Sequence, residues 1–218
     1  MVTDLVESSL DGQALDTLLF GGAPAPDQLP KKAKEAFPNT VLSQAYGMTE
    51  TNSIAVGIAG EDYEARPNSA GLPCPVNDVL IVKDGKVVPP GEVGEIWLRG
   101  PDVMQEYWGD PEATAKAISR DGWIATGDIG NIDEEGFLYV RDRIKDLIIR
   151  GGENIASVTV ENALYHDERL AEVAAVGVPH EKLGEIVAAI VSTKPAFHGK
   201  VKETELMEIA RARHAPLS

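Results

Sequence analysis

Apolar and polar positions divide the 218-residue chain into three regions of different period. Up to about residue 70, short apolar runs are broken by glycine and proline. Leu15–Phe20 reads as a buried strand that ends in the loop GGAPAP, Gly21–Pro26. Asp27–Phe37 has the composition of a surface helix closed by Pro38, and Val41–Ala45 reads as a second short strand running into Tyr46-Gly47-Met48-Thr49-Glu50. Two strands that each end in a candidate binding loop match the way open α/β sheets hold ligands.

From about Gly71 the pattern becomes β. VLIVKDGKVV predicts a hairpin, because Asp84-Gly85 between two apolar runs suits a two-residue turn with positive φ. In GEIWLRG, Ile96 and Leu98 alternate with Glu95, Trp97 and Arg99. Asp110-Pro111-Glu112 then opens a helix with an N-cap, a first-turn proline and an acid near the positive end. A second hairpin turning at Asp133–Gly136 completes a β unit over 71–142, expected to be a strongly twisted sheet or partial barrel.

The third region starts near Arg143. An apolar strand, Leu147–Ile149, is followed by a Gly151-Gly152 break and a helix from Ser157, which is expected to cap it, with Val160 and Leu164 one turn apart. Strands Val173–Val178 and Ile186–Ser192 follow, and a last helix carries Leu206, Ile209 and Ala210. The fold class is therefore α+β (mixed α/β), with a boundary near 143.

Charge and composition narrow the function. Thirty-five acidic against 20 basic residues give a formal charge of −15, which repels nucleic acid and anionic membrane surfaces, and no basic patch offsets it beyond short scraps such as Lys31-Lys32-Ala33-Lys34. No run approaches the roughly 18 apolar residues of a membrane span. The lone Cys74 cannot form an intrachain disulfide, so a soluble cytoplasmic protein is expected. His166, His180, His198 and His214 lack metal-type spacing. Read locally, Thr49-Glu50-Thr51 in QAYGMTET is the start of a helix with a threonine as N-cap.

Several stretches fall in one order: GGAPAP, YGMTET, GEIWLRGPDVMQEYW, WIATGDIGNIDEEGFLYVRDRIKDLIIRGGENI and VENAL. Together they resemble the adenylate-forming superfamily of acyl-CoA synthetases, luciferases and peptide-synthetase adenylation domains, and most of all a fatty-acid acyl-CoA ligase. The resemblance implies ATP (with AMP as product), Mg2+ and coenzyme A as small-molecule partners. It implies that residues 1–142 are the end of a large adenylate-binding domain, 1–70 an α/β segment and 71–142 a β unit. Residues 143–218 would be most of a small mobile domain.

The resemblance also assigns roles. Gly21, Gly22 and Ala23 with Tyr46 and Gly47 would line the adenine, since glycine backbone permits close approach to a flat ring. Thr49 would contact phosphate, and Glu50 would face magnesium; these two are the catalytic candidates. Asp128 in TGDIG would accept from the ribose hydroxyls and Arg143 would contact the ribose. Lys145 would be the hinge between two catalytic conformations, and Gly151-Gly152 would line the path of the thiol.

Neither a Ser/Thr/Gly-rich phosphate loop ending in lysine nor a Gly-Lys after the last helix occurs in these residues; Lys200 precedes that helix. The chain is therefore expected to be a C-terminal portion of such an enzyme and nearly inactive alone. Two alternatives stand beside the ligase: an amino-acid adenylation domain that loads a carrier protein, and a non-catalytic nucleotide- or partner-binding module.

Overall fold

Parallel pairing between strands β1 (Thr17–Phe20) and β2 (Val41–Tyr46), with Phe20 beside Gln44, organises the N-terminal part of the computed structural model. The structure describes residues 5–6, 8, 15–22, 25–26 and 28–213. Parallel neighbours need a crossover, and helix α1 (Leu29–Ala36) lies in it, burying Leu29 and Ala33 while its lysines stay on the surface. Strands β3 (Val56–Ala59) and β4 (Leu72–Pro73) extend the sheet antiparallel in the order β1-β2-β3-β4. Phe20, Phe37, Leu42, Ile58 and Tyr63 of helix α2 (Gly60–Ala65) form its core. Burial pushes the Tyr63 phenol up to about 12.

The second sheet comprises β5 (Asp78–Lys83), β6 (Lys86–Val87), β7 (Gly94–Arg99), β8 (Ile124–Ile132) and β9 (Leu138–Arg143), in the order β6-β5-β7-β8-β9. The predicted turn forms as expected, with Asp84 at φ 51° and Gly85 at φ 72°. Ile96 and Leu98 are buried, and each contributes about 1.5–3 kcal/mol by leaving water. Helix α3 (Pro111–Ala117) begins where predicted, with Asp110 Oδ1 accepting from the Ala113 N–H at 2.8 Å. The sheet is not a closed barrel; its first strand starts at Asp78, since Leu72–Pro73 pair with β3 in the other sheet.

The chain divides into two compact units, Met1–Arg141 and Asp142–Ser218. In the second, β10 (Ile148–Arg150), β11 (Glu153–Ile155), β12 (Leu170–His180) and β13 (Gly184–Thr193) form an antiparallel sheet in the order β11-β10-β13-β12. Helices α4 (Ser157–Leu164) and α5 (Glu203–Arg213) bury Val160, Leu164 and Leu206 against Ile148, Leu170 and Val173. Strands β12 and β13 run beyond the apolar cores read from sequence, because Leu170 joins the core and exposed outer residues such as Pro179, His180 and Gly184 still pair through the backbone. Among the described residues, no helix is long and apolar enough to cross a membrane.

Candidate functional site

The neighbouring carboxyl ends of β1 and β2 deliver two of the predicted loops side by side. Gly21 runs close to β2, since a Cβ there would sit 3.3 Å from the Ala45 carbonyl oxygen, and Gly22 adopts φ +81°. Ala23 lies outside the described residues. Tyr46 ends β2, and at Gly47 the chain folds back so tightly that a Cβ would fall 1.8 Å from the Ser53 carbonyl oxygen. Only glycine fits there.

Thr49–Thr51 form one 3-10 turn, not the start of a helix capped by its first threonine. The cap comes from the other end: the Met48 N–H donates to Thr51 Oγ1 at 3.0 Å. Thr51 Oγ1 itself lies 3.0 Å from the Met48 carbonyl oxygen and 3.2 Å from that of Ser53. Thr51 is thereby buried by a structural task, while Thr49 is exposed and Glu50 half-buried. Asn52 and Ser53 follow with φ of 52° and 135°. Positive φ in a serine stores of order 1–3 kcal/mol, which the surrounding turn must hold in place.

Across the unit's first part, Tyr46 Oη donates to Asp128 Oδ2 at 2.8 Å. Asp128 lies in β8 and is buried. Its N–H donates to Thr126 Oγ1 at 3.0 Å, and Thr126 Oγ1 donates to the Ile96 carbonyl at 2.8 Å. Gly127, at φ +74°, donates its N–H to Glu95 Oε1 at 3.1 Å, and Trp97 Nε1 donates to Glu95 Oε2 at 2.9 Å. Glu95, read from sequence only as a polar position of an alternating strand, thus braces the loop before Asp128.

Glu50 Oε1 accepts from Tyr107 Oη at 2.8 Å, and the Glu50 carbonyl accepts from the Met104 N–H at 2.7 Å. The hydrogen bond to Glu50, then burial, then the nearby negative charge hold the Tyr107 phenol above its ordinary value, so it stays a donor. The sequence reading gave Tyr107 no role. Its signal was present in MQEYW, but pairing with a glutamate 57 positions away needs the fold.

Among the described residues, no group of three or more His, Cys, Asp or Glu side chains could hold a metal by itself. One half-buried carboxylate fits a hard cation carried mainly by phosphate oxygens and water, as magnesium is. It does not fit an all-protein metal cage.

The second unit holds the other predicted residues. Arg143 and Lys145 are exposed, Lys145 in a 3-10 turn over Ile144–Asp146. Gly151 and Gly152, at φ 61° and 90°, form the two-residue turn between β10 and β11, a structural reason for both glycines. The cap of α4 departs from expectation. Ser157 is the first helical residue, and both its N–H and its hydroxyl donate to the buried Asp142 carboxylate. The side chain of Asp142, 15 positions upstream, supplies the cap, and Ser157 uses it.

The AMP-binding enzyme family matches residues 1–108, and the AMP-binding enzyme C-terminal domain matches residues 159–218. Feruloyl-CoA synthase of Amycolatopsis sp is 41% identical over 208 residues, 95% of this chain and 41% of the relative. A long-chain-fatty-acid–CoA ligase of Bacillus subtilis is 41% identical over 210 residues, 94% of this chain and 36% of the relative. Among solved structures, o-succinylbenzoate CoA synthetase from Bacillus subtilis with its acyl-adenylate intermediate gives a TM-score of 0.87 at 36% identity, covering 98% of this chain and 43% of that one. The same enzyme with ATP and magnesium ion gives 0.86 at 35% identity, over 99% of this chain and 45% of that one. The chain spans 36% to 41% of the length of these curated relatives.

Proposed function

We propose, from the premise that this chain belongs to the AMP-binding enzyme family, that it supplies one side of the adenylate site of an ATP-dependent acyl-CoA ligase. The observation that carries this reading is the Tyr46–Asp128 hydrogen bond, because it joins an aromatic residue at the end of β2 to a buried carboxylate in the middle of β8. Adenine would lie on Tyr46 beside the Gly21-Gly22-Ala23 backbone and Gly47. Asp128 would accept from the ribose hydroxyls, with Arg143 as a further ribose contact.

Thr49, exposed on its turn, would donate to phosphate, and Glu50 would face magnesium. The ion, when bound, supplies positive charge against the phosphate oxygens. The chain's own residues hold and orient the nucleotide, so that a substrate carboxylate oxygen attacks the α-phosphorus and pyrophosphate leaves. The thiol sulfur of coenzyme A then displaces AMP to give the thioester. The first unit corresponds on this reading to the end of the large adenylate-binding domain and the second to the small mobile domain. Lys145 would be the hinge, and the Gly151-Gly152 turn would line the thiol path. The cytoplasm, home of a protein with one cysteine and soluble substrates, is the proposed setting.

A fatty acid is the proposed substrate, on the resemblance of IIRGGENI and VENALYHDERL. An aryl acid is the second reading, favoured by the similarity to feruloyl-CoA synthase. Acyl-sulfamoyl adenosines carrying a long-chain or an aryl acyl group separate them: tighter binding of the long-chain compound supports the fatty-acid reading, and the reverse order supports the aryl one. Carboxylate-dependent pyrophosphate exchange by the 218-residue chain is expected to be very slow, since its residues include no phosphate-loop lysine and no Gly-Lys after the last helix. Clear turnover would contradict that part.

A further inference from the structure

One loop grips Glu50 at two points. The Met104 N–H holds the Glu50 carbonyl at 2.7 Å and Tyr107 Oη holds Oε1 at 2.8 Å, so both the turn and the carboxylate rotamer are set by residues 100–110. The loop is itself fixed. The Tyr107 N–H donates to Thr114 Oγ1 at 2.9 Å, and Thr114 Oγ1 donates to the Asp110 carbonyl at 2.8 Å, which ties Tyr107 to the first turns of α3. Asn77 Nδ2 donates to Asp102 Oδ2 at 3.1 Å and anchors the loop's other end.

The burial of this loop runs against apolar gain. Trp108 is 96% exposed, while the neighbouring Tyr107 turns inward and is half-buried. Burying the larger, more apolar indole would remove more surface from water. The loop instead presents a hydroxyl to a carboxylate, which identifies the hydrogen bond as the feature being kept. Among the described residues it is the only side-chain hydrogen bond of Glu50. It occupies Oε1 and leaves Oε2 to face a ligand.

We propose that Tyr107 is a positioning residue, which holds the Glu50 carboxylate in the rotamer that receives the magnesium of a bound nucleoside triphosphate. This rests on the reading of Glu50 as the carboxylate facing magnesium. Tyr107 does not touch the nucleotide; it acts through Glu50. Groups that orient a metal ligand from behind affect metal affinity almost as strongly as the ligands.

The test uses the full 218-residue chain with trinitrophenyl-ATP as the probe and trinitrophenyl-AMP as the metal-independent control, titrated with magnesium chloride. Tyr107→Phe is expected to raise the magnesium concentration for half-maximal ATP binding on the order of tenfold, with AMP affinity unchanged. Thr114→Val, which releases the Tyr107 backbone without touching Glu50, shifts it in the same direction by less. Glu50→Gln shifts it at least as far as Tyr107→Phe. If Glu50→Gln raises the midpoint and Tyr107→Phe does not, the positioning role is overturned. Equal loss of ATP and AMP binding in Tyr107→Phe shows a purely structural hydroxyl and also overturns it. If Glu50→Gln leaves the midpoint unmoved, or the unaltered chain shows no magnesium-dependent binding, the reading of Glu50 falls and this proposal with it.

Discussion

Tyr46 Oη donates a 2.8 Å hydrogen bond to Asp128 Oδ2, joining the last residue of β2 to the middle of β8, 82 positions away. Because Asp128 is buried, losing this hydrogen bond to its carboxylate is expected to cost about 1–3 kcal/mol. Tyr46→Phe is therefore expected to lower the stability of the first unit by that amount in chemical denaturation while keeping the aromatic face for adenine. Tyr46→Ala loses both, and weakens AMP binding in calorimetry far more than Tyr46→Phe does.

Gly47 carries a steric prediction. A Cβ at that position would sit 1.8 Å from the Ser53 carbonyl oxygen, a backbone atom that cannot swing aside as a side chain can. Gly47→Ala is expected to destabilise the unit by at least about 2 kcal/mol, seen as a lowered thermal midpoint. Gly22→Ala, where the added carbon meets nothing within 4 Å and only the φ of +81° is unfavourable, is expected to cost less.

The Asp142–Ser157 pair predicts an order of effects in the second unit. Asp142→Ala removes the acceptor of both the Ser157 N–H and its hydroxyl, and should cost about 1–2 kcal/mol as the loss of a helix cap. Ser157→Ala keeps the N–H bond and should cost less. Equal effects in urea denaturation would show that the hydroxyl carries the cap.

Much of this was legible in the chain, and the exceptions have identifiable causes. The Asp84-Gly85 turn, the alternation of Ile96 and Leu98 and the Asp110 cap are local, so sequence spacing defines them. Expectations failed where a distant partner decides. Ser157 looked like a cap until Asp142 took the task. Thr49-Glu50-Thr51 looked like a helix start, yet Gly47 and Ser53 fold the chain back and leave room for one turn. Tyr107 and Glu95 drew no attention because their chemistry lies in contacts to Glu50 and to the Gly127 N–H.

An acid-dependent prediction follows from Asp167. Its hydrogen bonds from the Arg169 side chain hold the carboxyl below the ordinary aspartate value of 3.8, against the opposing effect of burial. A lowered folded value means that the contribution is complete above that ordinary value and is lost as pH falls through the folded one. Asp167→Asn is expected to lower the melting midpoint of the second unit at neutral pH, by roughly 4–8 °C for each kcal/mol lost in a unit of this size. The difference from the unaltered chain should close as pH falls below the aspartate range. A difference that persists unchanged into strong acid would show that the carboxylate's charge is not what matters.

The central claim is that the ends of β1 and β2, with Asp128 in the middle of β8, form the nucleoside-binding side of an adenylate site. Isothermal titration of AMP into the 218-residue chain, with and without Asp128→Ala, tests it most directly. The account predicts saturable binding that weakens roughly 10- to 100-fold in Asp128→Ala, the loss of charged hydrogen bonds to the ribose. No AMP binding by the unaltered chain, or equal affinity in the variant, would contradict it.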